Sequence, residues 1–308
     1  MRMGFDGMEL WIPITLAAAF LQNIRSSLQK HLKGRMGTTG ATFVRFGFGM
    51  PFVLAFLAFL HWQVGYTMPQ VSLRFFVWAI IGGLSQIAAT FLLVHLFSHR
   101  NFAVGTAYSR TEPAQAAVFG FLLLGETISV GAVIAICICV LGVMLISVAR
   151  SSLTPVALVA SLFHRTALIG LASGTCFGLS AISYRAASLA LGGPNYLMQA
   201  TVTLAFVILL QTILMLGWIV LREPRELSNI AKAWKPSLVT GIAGATASLG
   251  WFTAMTLQNA ALVKALAQVE MLLAFATAVF VFKEKIDRLE ALGCLFVAAG
   301  VVLIVLWR

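Results

Sequence analysis

The sequence predicts an all-α integral membrane protein with ten transmembrane helices, arranged as two inverted repeats of five helices each. Three observations support this prediction. The 308 residues are 60% hydrophobic and only 10% charged, and their mean hydropathy is +0.95. The chain divides into ten apolar segments of the length that crosses a bilayer, which is about 20 residues. One constant shift along the chain also aligns its two halves.

The composition excludes several classes of protein. Soluble globular domains contain about 25% charged residues, and 21 basic with 10 acidic side chains cannot cover a soluble surface of this size. A soluble enzyme, a disordered chain and a disulfide-linked secreted domain are therefore excluded. The net charge of +11 is attributed to cytoplasmic loops rather than to nucleic-acid binding. The four cysteines lie in apolar runs without nearby ligand-type residues, so no metal site is predicted.

The ten apolar segments are separated by short breaks that contain charge, glycine or proline. They are expected at 10–30, 38–60, 73–98, 102–124, 129–148, 167–190, 195–221, 235–257, 260–282 and 287–307. The first repeat is therefore assigned to 10–148, the linker loop to 149–166 and the second repeat to 167–307. None of the breaks is long enough to form an extramembrane catalytic domain.

Evidence for an internal duplication comes from polar residues that are rare in this chain. A gap-free shift aligns Asn101 with Asn259, Glu112 with Glu270, Glu126 with Glu284, and Gly142 with Gly300. Matches between Glu or Asn are hard to obtain by chance in so apolar a chain. An odd number of helices in each copy forces the second copy to enter the membrane inverted. Inverted repeats around a site near the bilayer midplane are typical of secondary transporters.

The distribution of basic residues predicts the orientation in the membrane. One face receives most of them, namely Lys30, Lys33, Arg35, Arg100, Arg150, Arg165, Arg222, Arg225, Lys232, Lys235, Lys283, Lys285 and Arg288. The other face receives Arg2, Arg74 and Arg308. By the positive-inside rule the first face is cytoplasmic and both termini are outside.

Seven ionisable residues are expected within the membrane: Arg25, Arg45, Arg110, Glu112, Arg185, Lys264 and Glu270. Such groups are costly there and usually face a bundle interior or an aqueous cavity. Helical spacing adds Gln22 beside Arg25, and places Tyr108 and Gln115 in one stripe with Glu112. The alternative is that these charges pair with one another and hold helices together, or that Arg45 and Arg185 reach the headgroups. The excess of bases over acids favours an anionic or zwitterionic solute.

The predicted substrate-binding residues are therefore Glu112, Glu270, Arg25, Gln22, Tyr108, Gln115, Arg110, Lys264 and Arg185. Glu112 is the hypothesised site for a proton or a substrate amine. Glu126 and Glu284 end apolar helices at tight turns and are expected to cap the helices that follow. Pro51 and Pro113 are expected to interrupt their helices.

The segment RTEPAQAAVFGFLLLGETISVGAVIAICICVLGVMLI resembles the end of an EamA repeat of the drug/metabolite transporter superfamily. The shared features are the proline of the fourth helix, a Gly-Glu pair at its end and a glycine-bearing fifth helix. The second copy, ALAQVEMLLAFATAVFVFKEKIDRLEALGCLFVAAGVVLIV, is similar, but it has Met271 in place of Pro113 and Lys283 in place of Gly125.

This resemblance implies a central cavity lined by the first, third and fourth helices of each repeat. It also implies that the fifth and tenth helices are peripheral and available for a homodimer contact. Members of this superfamily move amino acids, other small metabolites or drugs, often outward across a bacterial inner membrane. The resemblance also implies cytoplasmic termini, which disagrees with the orientation expected from the charges.

The function expected from these observations is secondary transport of a small polar metabolite, amino-acid-like or an organic anion, or of a drug. Two alternatives are a flippase for lipids or lipid-linked substrates with the same fold, and an integral-membrane enzyme. The enzyme is disfavoured because the histidines are scattered and the acids Asp6 and Asp287 are isolated. No P-loop motif is present, and no cofactor is expected. The expected partners are the substrate and membrane lipids.

Overall fold

The computed structural model describes residues 7–32, 35–96, 107–149, 164–193, 195–280 and 287–307, and all of its regular elements are α-helices. In chain order they are α1 (Gly7–Leu32), α2 (Thr38–Gly47), α3 (Met50–Trp62), α4 (Leu73–Leu96), α5 (Glu112–Leu124), α6 (Val130–Ala149), α7 (Arg165–Ala190), α8 (Tyr196–Arg222), α9 (Arg225–Lys232), α10 (Trp234–Leu257), α11 (Ala260–Leu266), α12 (Val269–Phe280) and α13 (Arg288–Trp307).

Seven helical segments in the described ranges are long and apolar enough to cross a membrane. They are Thr38–Trp62, Leu73–Leu93, Val130–Ser147, Arg165–Ala190, Tyr196–Arg222, Trp234–Leu257 and Arg288–Leu306. They match the second, third, fifth, sixth, seventh, eighth and tenth expected segments. The first, fourth and ninth segments contain α1, α5 and the pair α11–α12. The all-helical membrane class is confirmed, and the number of ten spans stays a prediction.

The apolar exterior of these helices agrees with a lipid environment. Leu73, Val130 and Leu221 expose 80%, 77% and 81% of their surface. Exposed apolar area on this scale is unfavourable in water, whereas hydrocarbon solvates it well.

The chain forms two compact units, and each unit combines helices from both repeats. The first unit comprises Met1–Gly83 and Ser183–Leu257, and the second comprises Leu84–Ile182 and Gln258–Arg308. Helices α4 and α7 therefore contribute residues to both units. The first unit is built mainly from the N-terminal part of each repeat, and the second unit is built mainly from the C-terminal part of each repeat.

In the first unit α1 packs closely against α10. A Cβ placed on Gly250 would lie 2.9 Å from the Cβ of Ala18, so only glycine permits this approach without a shift. The indole Nε1 of Trp251 donates to Gln22 Oε1 at 3.0 Å on the same pair of helices. Small residues at such contacts are typical of helix packing in membranes, where close backbone approach replaces the hydrophobic effect.

In the second unit α6 and α13 cross through a contact that repeats itself under the shift that aligns the two halves. A Cβ on Gly142 would lie 2.7 Å from the carbonyl oxygen of Gly293 and 2.8 Å from Val297 Cγ2. A Cβ on Gly300 would lie 2.9 Å from the carbonyl oxygen of Ala135 and 2.5 Å from Cys139 Sγ.

The shift converts Ala135 to Gly293, Cys139 to Val297 and Gly142 to Gly300. The two halves of this contact are therefore related by a pseudo-two-fold operation, as an inverted duplication requires.

Candidate substrate site

The two acids that the repeat aligns both begin a helix. Glu112 is the first residue of α5, after Thr111 at the N-cap and before Pro113. Glu270 lies in the first turn of α12. The first N–H groups of a helix carry partial positive charge, so a carboxylate placed there is stabilised. Helix starts thus reduce the cost of placing two acids among apolar helices.

The helix breaks that precede these acids have equivalent backbone geometry. Arg110 N donates to Ala107 O, and Gln268 N donates to Ala265 O, both at 3.1 Å. These two pairs are exchanged by the repeat shift. The expected interruption at Pro113 is confirmed, since proline lies in the first turn of α5. The second copy is interrupted as well, although Met271 stands where the first copy has proline.

Each acid forms an ion pair with a base from the other repeat. Glu112 Oε1 lies 2.8 Å from Lys264 Nζ, and Glu270 Oε1 lies 2.7 Å from Arg110 Nη1. Four of the predicted site residues are thereby brought together in the second unit, with equal positive and negative charge. The pairing agrees with the interpretation that intramembrane charges neutralise one another.

The two ion pairs are not sealed from their surroundings. The side chains of Arg110 and Glu270 are 35% and 11% exposed, and those of Lys264 and Glu112 are 23% and 18% exposed. The exposure is unequal, because Arg110 is the most exposed member whereas Glu270 is 8% exposed as a whole residue and Glu112 Oε1 is buried. The repeat shift aligns the two acids but not their two bases. It aligns Arg110 with Gln268, and Lys264 with Thr106, so the two ion pairs are chemically unequal.

Gln115 and Tyr108 occupy different surroundings. Gln115 Nε2 donates to Thr111 Oγ1, and its Oε1 accepts from Thr175 Oγ1, both at 2.6 Å. The ring of Tyr108 packs in a buried apolar cluster with Ala107 and Ala167. The expected single stripe of Tyr108, Glu112 and Gln115 is corrected, because the chain turns at 110–111 before α5 begins.

The first unit holds the remaining predicted residues. Arg25 on α1 is 8% exposed. Gln22, one turn before it, accepts the indole hydrogen bond of Trp251. Arg45 lies in the last turn of α2, with its guanidinium carbon 5.0 Å from the centre of the Phe46 ring. The side chains of Arg25 and Arg45 approach each other over Gly244 of α10.

Arg185 contacts the end of a helix. Its Nη1 donates to the carbonyl oxygens of Met255 and Thr256 at 2.7 and 3.3 Å. These carbonyls belong to the last turn of α10, where intrahelical donors run out. A structural capping role thus accounts for the position of Arg185, and its role in substrate binding stays a prediction.

One polar contact was missed from the sequence. Asn259 Nδ2 donates to Glu126 Oε2 at 2.6 Å, and Asn259 Oδ1 caps α11 by accepting from Ala261 N. The alignment of Asn101 with Asn259 and of Glu126 with Glu284 indicated both residues without pairing them. At the start of α6, Ser129 Oγ accepts a hydrogen bond from Ala132 N at 3.1 Å. Asn101 and Glu284 lie outside the described residues.

Comparison with known proteins identifies the family. The model of the EamA-like transporter family matches residues 9–148 and again residues 164–306. The chain belongs to the EamA-like transporter family. The resemblance noted in the fourth and fifth helices is therefore confirmed over nearly the whole sequence. The EamA-like chain is a multi-pass membrane protein of a transporter family.

The fold has a solved counterpart. A protein whose structure is described only as "Crystal structure of protein" superposes on the EamA-like chain with a TM-score of 0.73, covering 97% of each chain at 19% identity. At this identity the likeness concerns the fold. No curated protein matches the sequence.

Proposed function

We propose that this EamA-like protein is a secondary transporter that exports a small polar metabolite, amino-acid-like or an organic anion, or a drug, across the inner membrane by alternating access. Its ten spans would form two inverted repeats at 10–148 and 167–307. The observation that carries the proposal is the reciprocal pairing of Glu112 with Lys264 and of Arg110 with Glu270 at two helix breaks.

This arrangement suits reversible binding of a polar solute. A substrate ammonium group can replace Lys264 at Glu112, and a substrate carboxylate can replace Glu270 at Arg110. Glu112 and Arg110 keep a charged partner throughout this exchange, so the cost of desolvating these two groups is limited. Because each pair joins the two repeats, exchanging a partner changes the contacts between the repeats, as alternating access requires.

Glu112 is the proposed site for a substrate amine or a coupling proton. It begins α5 beside the helix break. Replacement by glutamine keeps the shape of the side chain and removes its negative charge. Glu112→Gln should therefore bind the cationic part of the substrate at least about tenfold more weakly, the equivalent of one charge-assisted hydrogen bond.

The test is metabolite profiling of the medium around cells that overexpress the wild type, Glu112→Gln or the control Glu290→Gln at equal levels. Glu290 also lies in the first turn of a helix, α13, but outside the two ion pairs. We expect one or more polar compounds to accumulate outside with the wild type and with Glu290→Gln, and not with Glu112→Gln.

Two other outcomes would contradict parts of the proposal. Equal accumulation with wild type and Glu112→Gln would retain export and refute the role of Glu112. Absence of any accumulated compound, together with movement of a fluorescent phospholipid between leaflets of reconstituted vesicles, would replace metabolite export with lipid flipping.

A further inference from the structure

A basic surface lies on the first unit, at the end that the distribution of charges predicts to be cytoplasmic. It is formed by α9 with the end of α8 and the start of α10, and it is called here the α9 surface. Its exposed residues include Trp218, Arg222, Arg225, Lys232, Trp234 and Lys235. Residues 222–235 contain four bases and two acids, so the net charge of this segment is positive.

The inner face of α9 packs against the rest of the first unit. Ile230 and Ala233 are buried in an apolar cluster that also contains residues of α1, α2 and α8. Glu226 lies one turn before Ile230 on the same face of the helix. This packing fixes the rotation of α9 about its axis, and it thereby decides which residues face away from the protein.

Both acids of the segment bind the start of α2. Glu226 Oε2 accepts from Gly37 N at 2.8 Å, and Glu223 Oε1 accepts from Thr39 Oγ1 at 3.1 Å. Gly37 is the N-cap residue of α2, and a carboxylate at that end of a helix is stabilised by the partial positive charge of the first N–H groups. The two negative charges are therefore held against α2 and do not lie among the bases of the outer face.

The bases lie on the outer face. Arg225 and Lys232 are separated by about two helical turns of α9, so both project from one side, with Ser228 between them. All three residues are exposed. Arg222 ends α8, and Lys235 lies in the first turn of α10. Basic side chains thus follow the whole length of α9, which is about 12 Å for a helix of this size.

Two tryptophans indicate that this surface lies at the level of the lipid headgroups. Trp218 and Trp234 are both about half exposed. The guanidinium carbon of Arg222 lies 5.8 Å from the centre of the Trp218 ring, and Lys235 Nζ lies 5.7 Å from that of Trp234. Tryptophan beside a basic residue is typical of the boundary between hydrocarbon and water. Leu221 is exposed as well, so apolar and basic side chains are adjacent on the α9 surface.

A phospholipid fits this combination of side chains better than a dissolved anion does. The phosphate of a lipid accepts charge-assisted hydrogen bonds from arginine and lysine. Its acyl chains cover exposed tryptophan and leucine, which are unfavourable in water. A dissolved anion would pair with the bases but leave the apolar side chains uncovered.

We propose that the α9 surface binds an anionic phospholipid, whose phosphate lies between Arg225 and Lys232 and whose acyl chains lie beside the exposed apolar residues at the end of α8. The hydroxyl group of Ser228 can donate to the same phosphate. This lipid is a partner of the first unit and not the transported solute, so the proposal does not depend on the substrate or the direction of transport. A lipid bound there stabilises the folded chain, because the unfolded chain lacks the site.

The experiment measures the thermal unfolding temperature of the purified full chain in a neutral detergent. Phosphatidylglycerol, phosphatidylcholine and glycerol phosphate are titrated separately at constant ionic strength. We expect phosphatidylglycerol to raise the unfolding temperature of the wild type saturably, and the other two compounds to raise it much less. Arg225→Gln with Lys232→Gln should weaken the apparent affinity for phosphatidylglycerol about 25-fold, which is about fivefold for each base.

Two matched variants separate the site from general effects of charge and packing. Arg74→Gln with Arg165→Gln removes the same number of exposed charges from other helices, and should bind phosphatidylglycerol like the wild type. Arg225→Lys with Lys232→Arg keeps both charges and should remain within about twofold of the wild type, since both groups pair with phosphate. Without added lipid, all of these variants should unfold at nearly the temperature of the wild type, because the substituted side chains are exposed.

Several outcomes would overturn the proposal. One is a wild type that phosphatidylglycerol stabilises no more than phosphatidylcholine does. Another is wild-type affinity in Arg225→Gln with Lys232→Gln, or an equal loss in Arg74→Gln with Arg165→Gln, which would reduce the effect to net charge. A third is equal stabilisation by glycerol phosphate that depends on Arg225 and Lys232, which would make a dissolved phosphate compound the occupant in place of a lipid.

Discussion

Arg110 of the first repeat places Nη1 2.7 Å from Oε1 of Glu270 in the second repeat. The contact joins a turn before α5 to the first turn of α12, two positions that are 160 residues apart in the chain. A second ion pair between the repeats joins Glu112 and Lys264, and together the two pairs place both aligned acids beside bases of the opposite repeat.

Exchanging the two charges tests whether this pair is only structural. Arg110→Glu alone should destabilise the protein by about 1–3 kcal/mol, less than a fully buried pair because Arg110 is partly exposed. The double variant Arg110→Glu with Glu270→Arg should recover most of this stability but not transport. Thermal unfolding and export are measured on the same preparations. Recovery of full transport by the double variant would assign the pair to helix packing.

Asn259 should contribute to stability through two separate bonds. Asn259→Ala removes the cap of α11 and the hydrogen bond to Glu126, and should cost about 2–3 kcal/mol. Asn259→Ser retains a capping oxygen and should cost about half as much. The measurement is the unfolding free energy in detergent. Equal losses for the two variants would show that the contact with Glu126 contributes little.

The close contact between α6 and α13 should be sensitive to single methyl groups. Gly300→Ala forces its Cβ to 2.5 Å from Cys139 Sγ, and should destabilise by about 1–3 kcal/mol. Gly142→Ala should behave similarly, since the contact is pseudo-symmetric. Gly217→Ala adds a methyl group where nothing lies within 4 Å, and should be neutral or stabilise by up to about 1 kcal/mol. Comparable losses in all three variants would contradict this explanation.

The orientation expected from the charges can be tested with reporters. A reporter fused after Arg308 should lie outside the cytoplasm. A reporter inserted in the 149–166 linker should lie inside it. Opposite locations are required because each repeat is expected to cross the membrane an odd number of times. A cytoplasmic reporter after Arg308 would reverse the orientation, and equal locations at both sites would refute the five-helix repeat.

The sequence indicated the helix breaks unequally. Pro113 predicted the first break, because proline cannot donate a hydrogen bond within a helix and clashes with the preceding turn. Nothing local indicates the second break, where Met271 replaces proline, yet the chain turns there at the equivalent residues. The sequence also identified Glu112 and Glu270 through the duplication, but it could not assign the base that each acid contacts.

By itself the sequence determined the membrane class and the duplication, and it predicted a set of ionisable residues at membrane depth. These properties follow from composition and from matches along one chain. Only the tertiary structure decided that Glu112 meets Lys264, that Asn259 meets Glu126, and that Arg25 and Arg45 converge over Gly244. Such pairings depend on which helices pack together and on their rotation about their axes. Those are fixed by close packing of small residues far apart in sequence, so no local pattern contains them.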